Sequence, residues 1–221
     1  MSARYKLRRL IAITILLLLM AVPLAATSVP GGDVTSSVPA KQVKASKKQL
    51  DSLAVKGRAP KTNYSRAQFG DGWELIAGCD TRNIILARDL KQPQISTTCK
   101  VLAGTLHDPY TGKTIQFVRG ANTSDDVQID HVVALSDAWQ KGAQQLSYTK
   151  RVQLANDALN LLAVDGPANQ AKSDSDAASW LPPNKSFRCS YVMRQIAVKQ
   201  KYSLWVTAAE KQTMNNVLDR C

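Results

Sequence analysis

The chain has 221 residues, 44% hydrophobic and 21% charged. This composition allows one domain of ordinary size with a leader or linker, and it excludes two large domains and a generically disordered chain. The net charge is +12, but residues 62–221 carry 18 basic and 15 acidic residues, so most of the excess lies before residue 62. The basic balance alone is therefore a poor argument for nucleic-acid binding.

The N-terminus has the pattern of a secretory signal peptide. Four basic residues precede an apolar run over residues 10–26, and small residues follow this run. We assign residues 1–27 as a cleaved signal and expect a secreted, extracellular protein without stable membrane association. The apolar run is at the lower limit for crossing a bilayer, so a membrane anchor formed by an uncleaved signal is the alternative.

Residues 28–61 form a second compositional region. They are rich in Val, Pro, Gly, Ser, Ala and Lys and show no sustained period. This composition predicts a basic flexible tail with at most a short helix near residues 47–55. The composition becomes globular from Tyr64, which predicts one folded domain over residues 62–221.

Local patterns predict the elements of that domain in chain order. Two β-like runs flank the turn sequence Asp108-Pro-Tyr-Thr-Gly112 and predict a hairpin of residues 99–106 and 113–118. Further strands are expected at residues 127–133 and 159–164. Helices are expected at residues 135–143, 147–155, 186–201 and 207–219, the last opening with a capping box of Thr207 and Glu210. The mixture indicates an α+β fold whose C-terminal third is mainly helical.

Four cysteines lie in the predicted domain. An even count in an exported chain predicts two disulfides. Sequence proximity favours pairing Cys79 with Cys99 and Cys189 with Cys221, out of three possible pairings. A structural zinc site is the rival interpretation, but the chain has no Cys-x-x-Cys and only two histidines.

The most informative segment places two polar side chains at the end of an apolar strand. Asp130 and His131 end the run that begins at residue 127. About 30 residues later, Asn160 lies on a second predicted strand, and Asn169 and Lys172 open a predicted helix. This order is the strand–strand–helix layout of a one-metal nuclease.

Five stretches in this order carry a family resemblance. They are Gly78-Cys-Asp-Thr-Arg-Asn83, Gly104-Thr-Leu-His-Asp-Pro-Tyr-Thr-Gly112, Ile129-Asp-His-Val-Val-Ala-Leu135, Leu159-Asn-Leu-Leu-Ala-Val-Asp-Gly-Pro167 and Trp180-Leu-Pro-Pro-Asn184. The segment resembles an HNH (ββα-metal) endonuclease whose final histidine is replaced by asparagine. Residues from about 63 to 221 are similar to exported HNH-family proteins of actinobacteria, which are related to the C-terminal nuclease domain of GmrSD-type restriction enzymes.

The resemblance implies a ββα-metal core preceded by a β-hairpin region and followed by C-terminal helices. It implies that His131 is the general base and that Asp130 and Asn169 ligate one divalent cation, Mg²⁺ or alternatively Mn²⁺. Asn160 is implied to orient the loop or ring of His131. Lys172, one helical turn after Asn169, is implied to contact phosphate.

Other basic residues are candidates for nucleic-acid binding. Residues 185–211 carry six basic side chains and one acid, with tyrosines between them. One hypothesis is that Arg194 and Lys199 lie on a helical face that follows the nucleic-acid backbone; the alternative is an ordinary solvated face. Arg82 either binds phosphate or forms a structural ion pair with Asp89, and the sequence does not separate these two roles.

Together these patterns predict a secreted metal-dependent HNH endonuclease that hydrolyses phosphodiester bonds in DNA. The alternative from another class is an exported, non-catalytic nucleic-acid-binding or envelope protein that retains the HNH fold. No sequence feature indicates whether the protein recognises the 2′-hydroxyl that distinguishes RNA from DNA, so a ribonuclease or a nuclease that cleaves both is a further alternative.

Overall fold

The computed structural model describes residues 38–221; the predicted signal peptide and residues 28–37 lie outside the described residues. The helices are α1 (Ala40–Ser52), α2 (Thr81–Asp89), α3 (Leu135–Gln140), α4 (Tyr148–Asn156), α5 (Gly166–Lys172), α6 (Arg188–Lys201) and α7 (Ala208–Leu218). The strands are β1 (Leu75–Ile76), β2 (Cys79–Asp80), β3 (Lys91–Ile95), β4 (Val101–His107), β5 (Thr114–Val118), β6 (Val127–His131) and β7 (Leu161–Asp165). These small sheets and helices fit the predicted α+β class.

The predicted hairpin forms part of a three-stranded antiparallel sheet of order β3–β4–β5. Strands β4 and β5 pair from Ala103 opposite Val118 to His107 opposite Thr114. The Asp108 carboxylate accepts a hydrogen bond from the Thr111 amide (2.7 Å), and the left-handed Gly112 (φ +78°) returns the chain into β5. The turn chemistry read from the sequence is thus the chemistry that closes the hairpin.

A second antiparallel pair, β6–β7, is followed directly by α5. The two strands pair from Val127 opposite Asp165 to His131 opposite Leu161. Asp165 then caps α5, because its carboxylate accepts from the Ala168 amide at 2.8 Å. Gly166 makes the sharp change of direction possible, since a Cβ at this position would lie 2.0 Å from the Asp125 carbonyl oxygen. Two strands and a helix therefore pack as one short unit, in the order expected from the sequence.

Two apolar cores support this unit from either side. Between α2, the three-stranded sheet and β6–β7 lies a core that includes Ile85, Leu86 and Phe117. The other lies against α1, α6 and α7 and includes the buried residues Leu50, Val43, Val192, Ile196, Val206 and Met214. Burial of each such side chain contributes about 1.5–3 kcal/mol to the free energy of folding, so the two cores stabilise the position of the strand–strand–helix unit.

The structure departs from the predicted flexible tail over residues 38–61. Helix α1 buries Val43 and Leu50 against α6 and α7, and Leu53, the residue after the helix, is buried in the same core. Beyond the helix, the Lys56 amide donates to the Val206 carbonyl at 3.0 Å. The spacing of the three apolar residues puts them on one helical face, but the surrounding lysines and serines give the segment the composition of a tail. The packed part of the chain therefore begins by residue 38 rather than at residue 62.

The structure pairs the cysteines as sequence proximity predicted. Cys79 bonds to Cys99, with a Cα–Cα distance of 5.5 Å, and joins β2 to the turn before β4. Cys189 bonds to Cys221, at 5.8 Å between Cα atoms, and ties the last residue to the first turn of α6. Within residues 38–221, no helix is both long and apolar enough to cross a bilayer.

A network of charged side chains lies buried between α3, α6 and α7. The Lys141 ammonium group is fully buried and lies 2.7 Å from Asp137, 2.7 Å from Asp176 and 2.6 Å from Glu210. Lys199, also fully buried, lies 3.3 Å from Asp137 and 3.0 Å from Glu210. Burial lowers the pKa of Lys199, but these two carboxylates outweigh it and hold the pKa above its usual value. Lys199 therefore keeps its charge inside the fold.

We expect Lys141→Met to lower the free energy of unfolding by about 3–5 kcal/mol, because three buried carboxylates would lose their shared cation. Urea denaturation measures the change. The matched control is Lys47→Met, which breaks an ion pair with Asp219 whose side chains are 40% and 63% exposed. This control should cost no more than about 1 kcal/mol. Equal losses in the two variants would contradict the importance of the network.

Candidate active site

An open cleft of about 470 Å³ lies along β6. It brings together four of the residues singled out in the sequence: Asp130 and His131 at the end of β6, Asn169 on α5 and Arg82 in the first turn of α2. The remaining wall is mostly polar and includes Tyr64, Arg66, Ser124, Asp125, Gln128, Ser136, Ser173 and Asp174. One strand thus presents an acid and an imidazole to the same space.

His131 is held in one protonation state and one orientation. Its Nε2 lies 2.9 Å from the Ala155 carbonyl oxygen, and its ring stacks on Trp73 with centroids 5.8 Å apart and an angle of 8°. Burial is the main cause that lowers the pKa of His131 to about 3; the Ala155 carbonyl opposes this shift, and the positive charges of Arg66 and Lys172 add to it. Since a carbonyl only accepts, Nε2 carries the hydrogen of the neutral ring and Nδ1 keeps its lone pair. Nδ1 is therefore the nitrogen that can take up a proton.

Asp130 is held by two fully buried donors. The Tyr110 hydroxyl donates to Oδ2 at 2.5 Å, and the Lys172 ammonium group donates to Oδ1 at 2.9 Å. Lys172 also donates to the His131 carbonyl oxygen at 2.9 Å. Burial raises the pKa of Asp130, and the contacts with Lys172 and Tyr110 offset part of that increase. The carboxylate therefore has a fixed direction at the cleft wall.

Asn160 fixes the chain that follows His131. Its side chain is fully buried; Oδ1 accepts from the Val133 amide at 2.8 Å, and Nδ2 donates to the carbonyls of Val133 (3.2 Å) and Leu154 (3.3 Å). Leu154 precedes Ala155, whose carbonyl holds the imidazole. Asn160 therefore joins the loop after β6 to the turn of α4 that orients His131.

Asn169 faces the same cleft from α5. Its Nδ2 donates to Gln128 Oε1 at 2.9 Å, and within residues 38–221 its Oδ1 accepts no hydrogen bond. No cluster of three or more His, Cys, Asp or Glu side chains suited to a metal occurs in that range. Carboxylate and amide oxygens such as those of Asp130 and Asn169 are the ligand types that a hard cation such as Mg²⁺ takes in proteins, with water and phosphate at its other positions.

Comparison with known families matches residues 80–217 to the family described as GmrSD restriction endonucleases, C-terminal domain. The chain belongs to this family. Membership in the GmrSD C-terminal family indicates a nuclease-related function and hence a nucleic-acid substrate. An "Uncharacterized secreted protein" of Arthroderma benhamiae is 39% identical over 175 residues, which cover 78% of this chain and 82% of the relative. No solved structure matches the chain. The relative is fungal, so these comparisons give no support to the expected actinobacterial affiliation.

Three of the predicted nucleic-acid contacts are engaged elsewhere in this GmrSD-family domain. Lys172 is fully buried on Asp130, and Lys199 is fully buried in the charge network, so neither can reach a phosphate. Arg194 donates to the carbonyls of residues 159 (2.7 Å) and 158 (3.1 Å) and does not line the cleft. The predicted basic face of α6 is therefore not available, because the helix packs much of that face against the core. Arg82 does line the cleft, and Asp89 pairs with Arg88 instead (2.6 Å).

Sequence reasoning missed several side chains that line the cleft or hold its residues. Tyr110 lies in a stretch that carries the resemblance, but its partner Asp130 is 20 residues away, and no local pattern marks such a contact. Arg66, which lines the cleft, and Trp73, which stacks on His131, lie in the irregular chain between α1 and the first matching stretch, where no periodicity singles them out.

The lowered pKa of His131 predicts how stability depends on pH. The unfolded chain takes up a proton on this imidazole below about pH 6.5, whereas the folded protein does so only near pH 3. The unfolded state thus binds more protons between these limits, and folding stability should fall as the pH falls from 6.5 towards 3. Urea denaturation at several pH values should show a steeper fall for the wild type than for His131→Gln. Parallel curves would contradict the buried, neutral imidazole.

Proposed function

We propose that this protein is a secreted, metal-dependent HNH endonuclease that hydrolyses phosphodiester bonds in DNA. The observation that carries the proposal is the neutral His131, whose Nε2 is fixed by the Ala155 carbonyl so that Nδ1 keeps its lone pair, and which lines the same cleft as Asp130 and Asn169. The strand–strand–helix unit of β6, β7 and α5 supports the HNH assignment, and the family membership supports nuclease chemistry.

In this proposal His131 is the general base. Nδ1 takes a proton from a water molecule as the water oxygen bonds to phosphorus, and the bond from phosphorus to the 3′ oxygen breaks on the opposite side. The leaving 3′ oxygen takes up a proton from solvent and His131 later returns its proton to solvent, so the products carry a 5′ phosphate and a 3′ hydroxyl. In the free protein the low pKa of His131 keeps its imidazole neutral, and a general base must be neutral before it can take up a proton. A bound phosphate brings negative charge to the cleft, which raises the pKa and strengthens the base when it is needed.

Asp130 and Asn169 would hold one divalent cation, Mg²⁺ or alternatively Mn²⁺, and this ion would supply charge stabilisation for the phosphate and the leaving oxygen. Tyr110 and Lys172 keep the Asp130 carboxylate in place, since each donates to a different oxygen. Asn160 keeps the His131 loop in place. These three buried side chains are positioning residues in the proposed enzyme.

Secretion is part of the proposal. Residues 1–27 have the pattern of a cleaved signal peptide, which would release the mature protein outside the cell. Two disulfides are typical of proteins that fold in an oxidising compartment. The fungal relative is also described as a secreted protein.

We expect the purified chain to nick supercoiled plasmid with Mg²⁺ or Mn²⁺ and to lose this activity in EDTA. His131→Ala should lower the rate by a factor of about 10²–10⁴, which is the usual contribution of a general base. His107→Ala is the matched control, because His107 is an exposed histidine at the end of β4. Equal nicking by the wild type and His131→Ala would overturn the assigned base. A folded chain that binds DNA but shows no nicking with either metal would favour the non-catalytic alternative, and cleavage of RNA alone would overturn the substrate.

Asn160→Ala should lower kcat about 10- to 100-fold and leave DNA affinity unchanged, because the loop after His131 would lose its anchor. It should also lower the free energy of unfolding by about 2 kcal/mol, since three buried backbone groups would lose a partner. Asn83→Ala is the control for lost stability: Asn83 is a buried asparagine that binds the Val101 amide at 2.9 Å, away from His131. A similar loss of kcat in both variants, corrected for the folded fraction, would argue against a positioning role for Asn160.

A further inference from the structure

Arginine side chains within residues 38–221 fall into two groups. Most donate to carboxylates, side-chain amides or backbone carbonyls of the fold: Arg58, Arg88, Arg119, Arg151, Arg188 and Arg194. Arg66, Arg82 and Arg220 form no ion pair in this range, and the one side-chain hydrogen bond among them is a long 3.5 Å contact from Arg82 to the Ser124 carbonyl. Two of these three uncommitted arginines, Arg66 and Arg82, line the candidate active site.

The two cleft arginines lie towards opposite ends of β6. Arg66 begins the 3₁₀ turn Arg66–Phe69 and shares a small pocket with His131 and Trp73, at the C-terminal end of the strand. Arg82 reaches the Ser124 carbonyl, just before the N-terminal end of the strand. At a rise of roughly 3.3 Å per residue, the five residues of β6 span roughly 13 Å between these ends. The two arginines therefore enter the cleft from opposite ends of the strand.

Arg82 is a half-buried cation that forms no ion pair within residues 38–221. Burial and the nearby Arg119 lower its pKa, and the negative charges of Asp80 and Asp125 offset part of that decrease. A guanidinium group is the side chain best suited to bind phosphate through two parallel hydrogen bonds. Arg66 is exposed at the rim of the same cleft, and its charge is one of the causes that lower the pKa of His131.

We propose that Arg66 and Arg82 bind two different backbone phosphates of one nucleic-acid strand, one on each side of the phosphate that faces His131 and Asp130. This inference rests on the proposed nuclease function and specifies its substrate. Phosphate contacts fix the register of a strand without reading its bases, so the pair favours cleavage within a chain at many sequences. A dinucleotide or a terminal phosphodiester bond lacks at least one flanking phosphate and is a poor substrate.

The test measures binding of fluorescent single-stranded oligonucleotides to the full chain in EDTA, where nothing is cleaved. Each oligonucleotide has one phosphate replaced by a neutral methylphosphonate, and the position of the replacement moves along the strand. We expect the wild type to lose affinity at two separated positions. Arg66→Gln should remove the sensitivity at one of them and Arg82→Gln at the other. Each substitution should also reduce the slope of log K against log salt by about 0.7, the release expected for one phosphate on a single strand.

Arg220→Gln is the matched control, because Arg220 is also uncommitted and exposed but lies near the C-terminus, outside the cleft. The Arg220→Gln variant should lose affinity at the same two methylphosphonate positions as the wild type and keep most of the slope of log K against log salt. Arg82→Lys retains the charge and should retain the salt slope. This result would show that the smaller slope of Arg82→Gln comes from the lost charge and not from misfolding. The proposal is overturned if the cleft variants keep both sensitive positions, or if their slopes equal that of Arg220→Gln. These outcomes do not depend on nicking, so the phosphate contacts and the role of His131 stand or fall separately.

Discussion

The contact between Lys172 and Asp130 is the constraint on which the cleft depends. One buried ammonium group donates to the carboxylate of Asp130 and to the backbone carbonyl of His131, so it fixes both residues of the dipeptide to α5. Burial by itself raises the pKa of Asp130 and would favour the uncharged acid. The nearby cation opposes that tendency and helps Asp130 remain a carboxylate. Loss of one partner from such a buried pair is strongly destabilising, because the other charge then lies unpaired in a medium of low polarity.

Charge inside this domain is divided between scaffold and cleft. Lys141 and Lys199 neutralise three buried carboxylates, and Arg58 completes that network from the segment after α1, at 2.8 Å from Asp176. These ion pairs join the N-terminal segment to α3, α6 and α7 and leave no net charge for a ligand. Beside the cleft, Arg66 and Arg82 form no ion pair within residues 38–221. The position of these two cations says more about where an anion would bind than the total charge of +12 does.

Sequence reasoning succeeded where the determining interaction is local. The Asp108–Gly112 turn, the Ser147 cap of α4 and the capping box of α7 all involve residues within four positions of one another, and the predicted hairpin and helices are confirmed. The polar pair at the end of an apolar strand likewise stands out without a structure. Helix α1 was predicted at most as a short helix near residues 47–55 of a tail, whereas it spans Ala40–Ser52 and packs on the core, because three apolar residues among lysines resemble a tail.

The failures concern partners that are distant in sequence. Lys199 meets Asp137 across 62 positions, and Lys172 meets Asp130 across 42, so their burial could not be read from the charge alone. A basic residue in a helix has the same local signature whether it binds phosphate, solvent or a buried carboxylate. The burial of its partner decides between these roles, and that is a property of the fold.

Electrostatic balance then links the site to its proposed substrate. In the free protein His131 is neutral, and Lys172 compensates Asp130, so the reacting groups themselves offer little net attraction to a polyanion. In the proposed complex the attraction would come from the rim, where Arg66 and Arg82 form no ion pair with any residue from 38 to 221. A strand drawn in by these two cations brings the negative charge that raises the proton affinity of His131. In the proposed complex, binding at the rim thus brings the scissile phosphate to His131, although no side chain at the rim touches the reacting atoms.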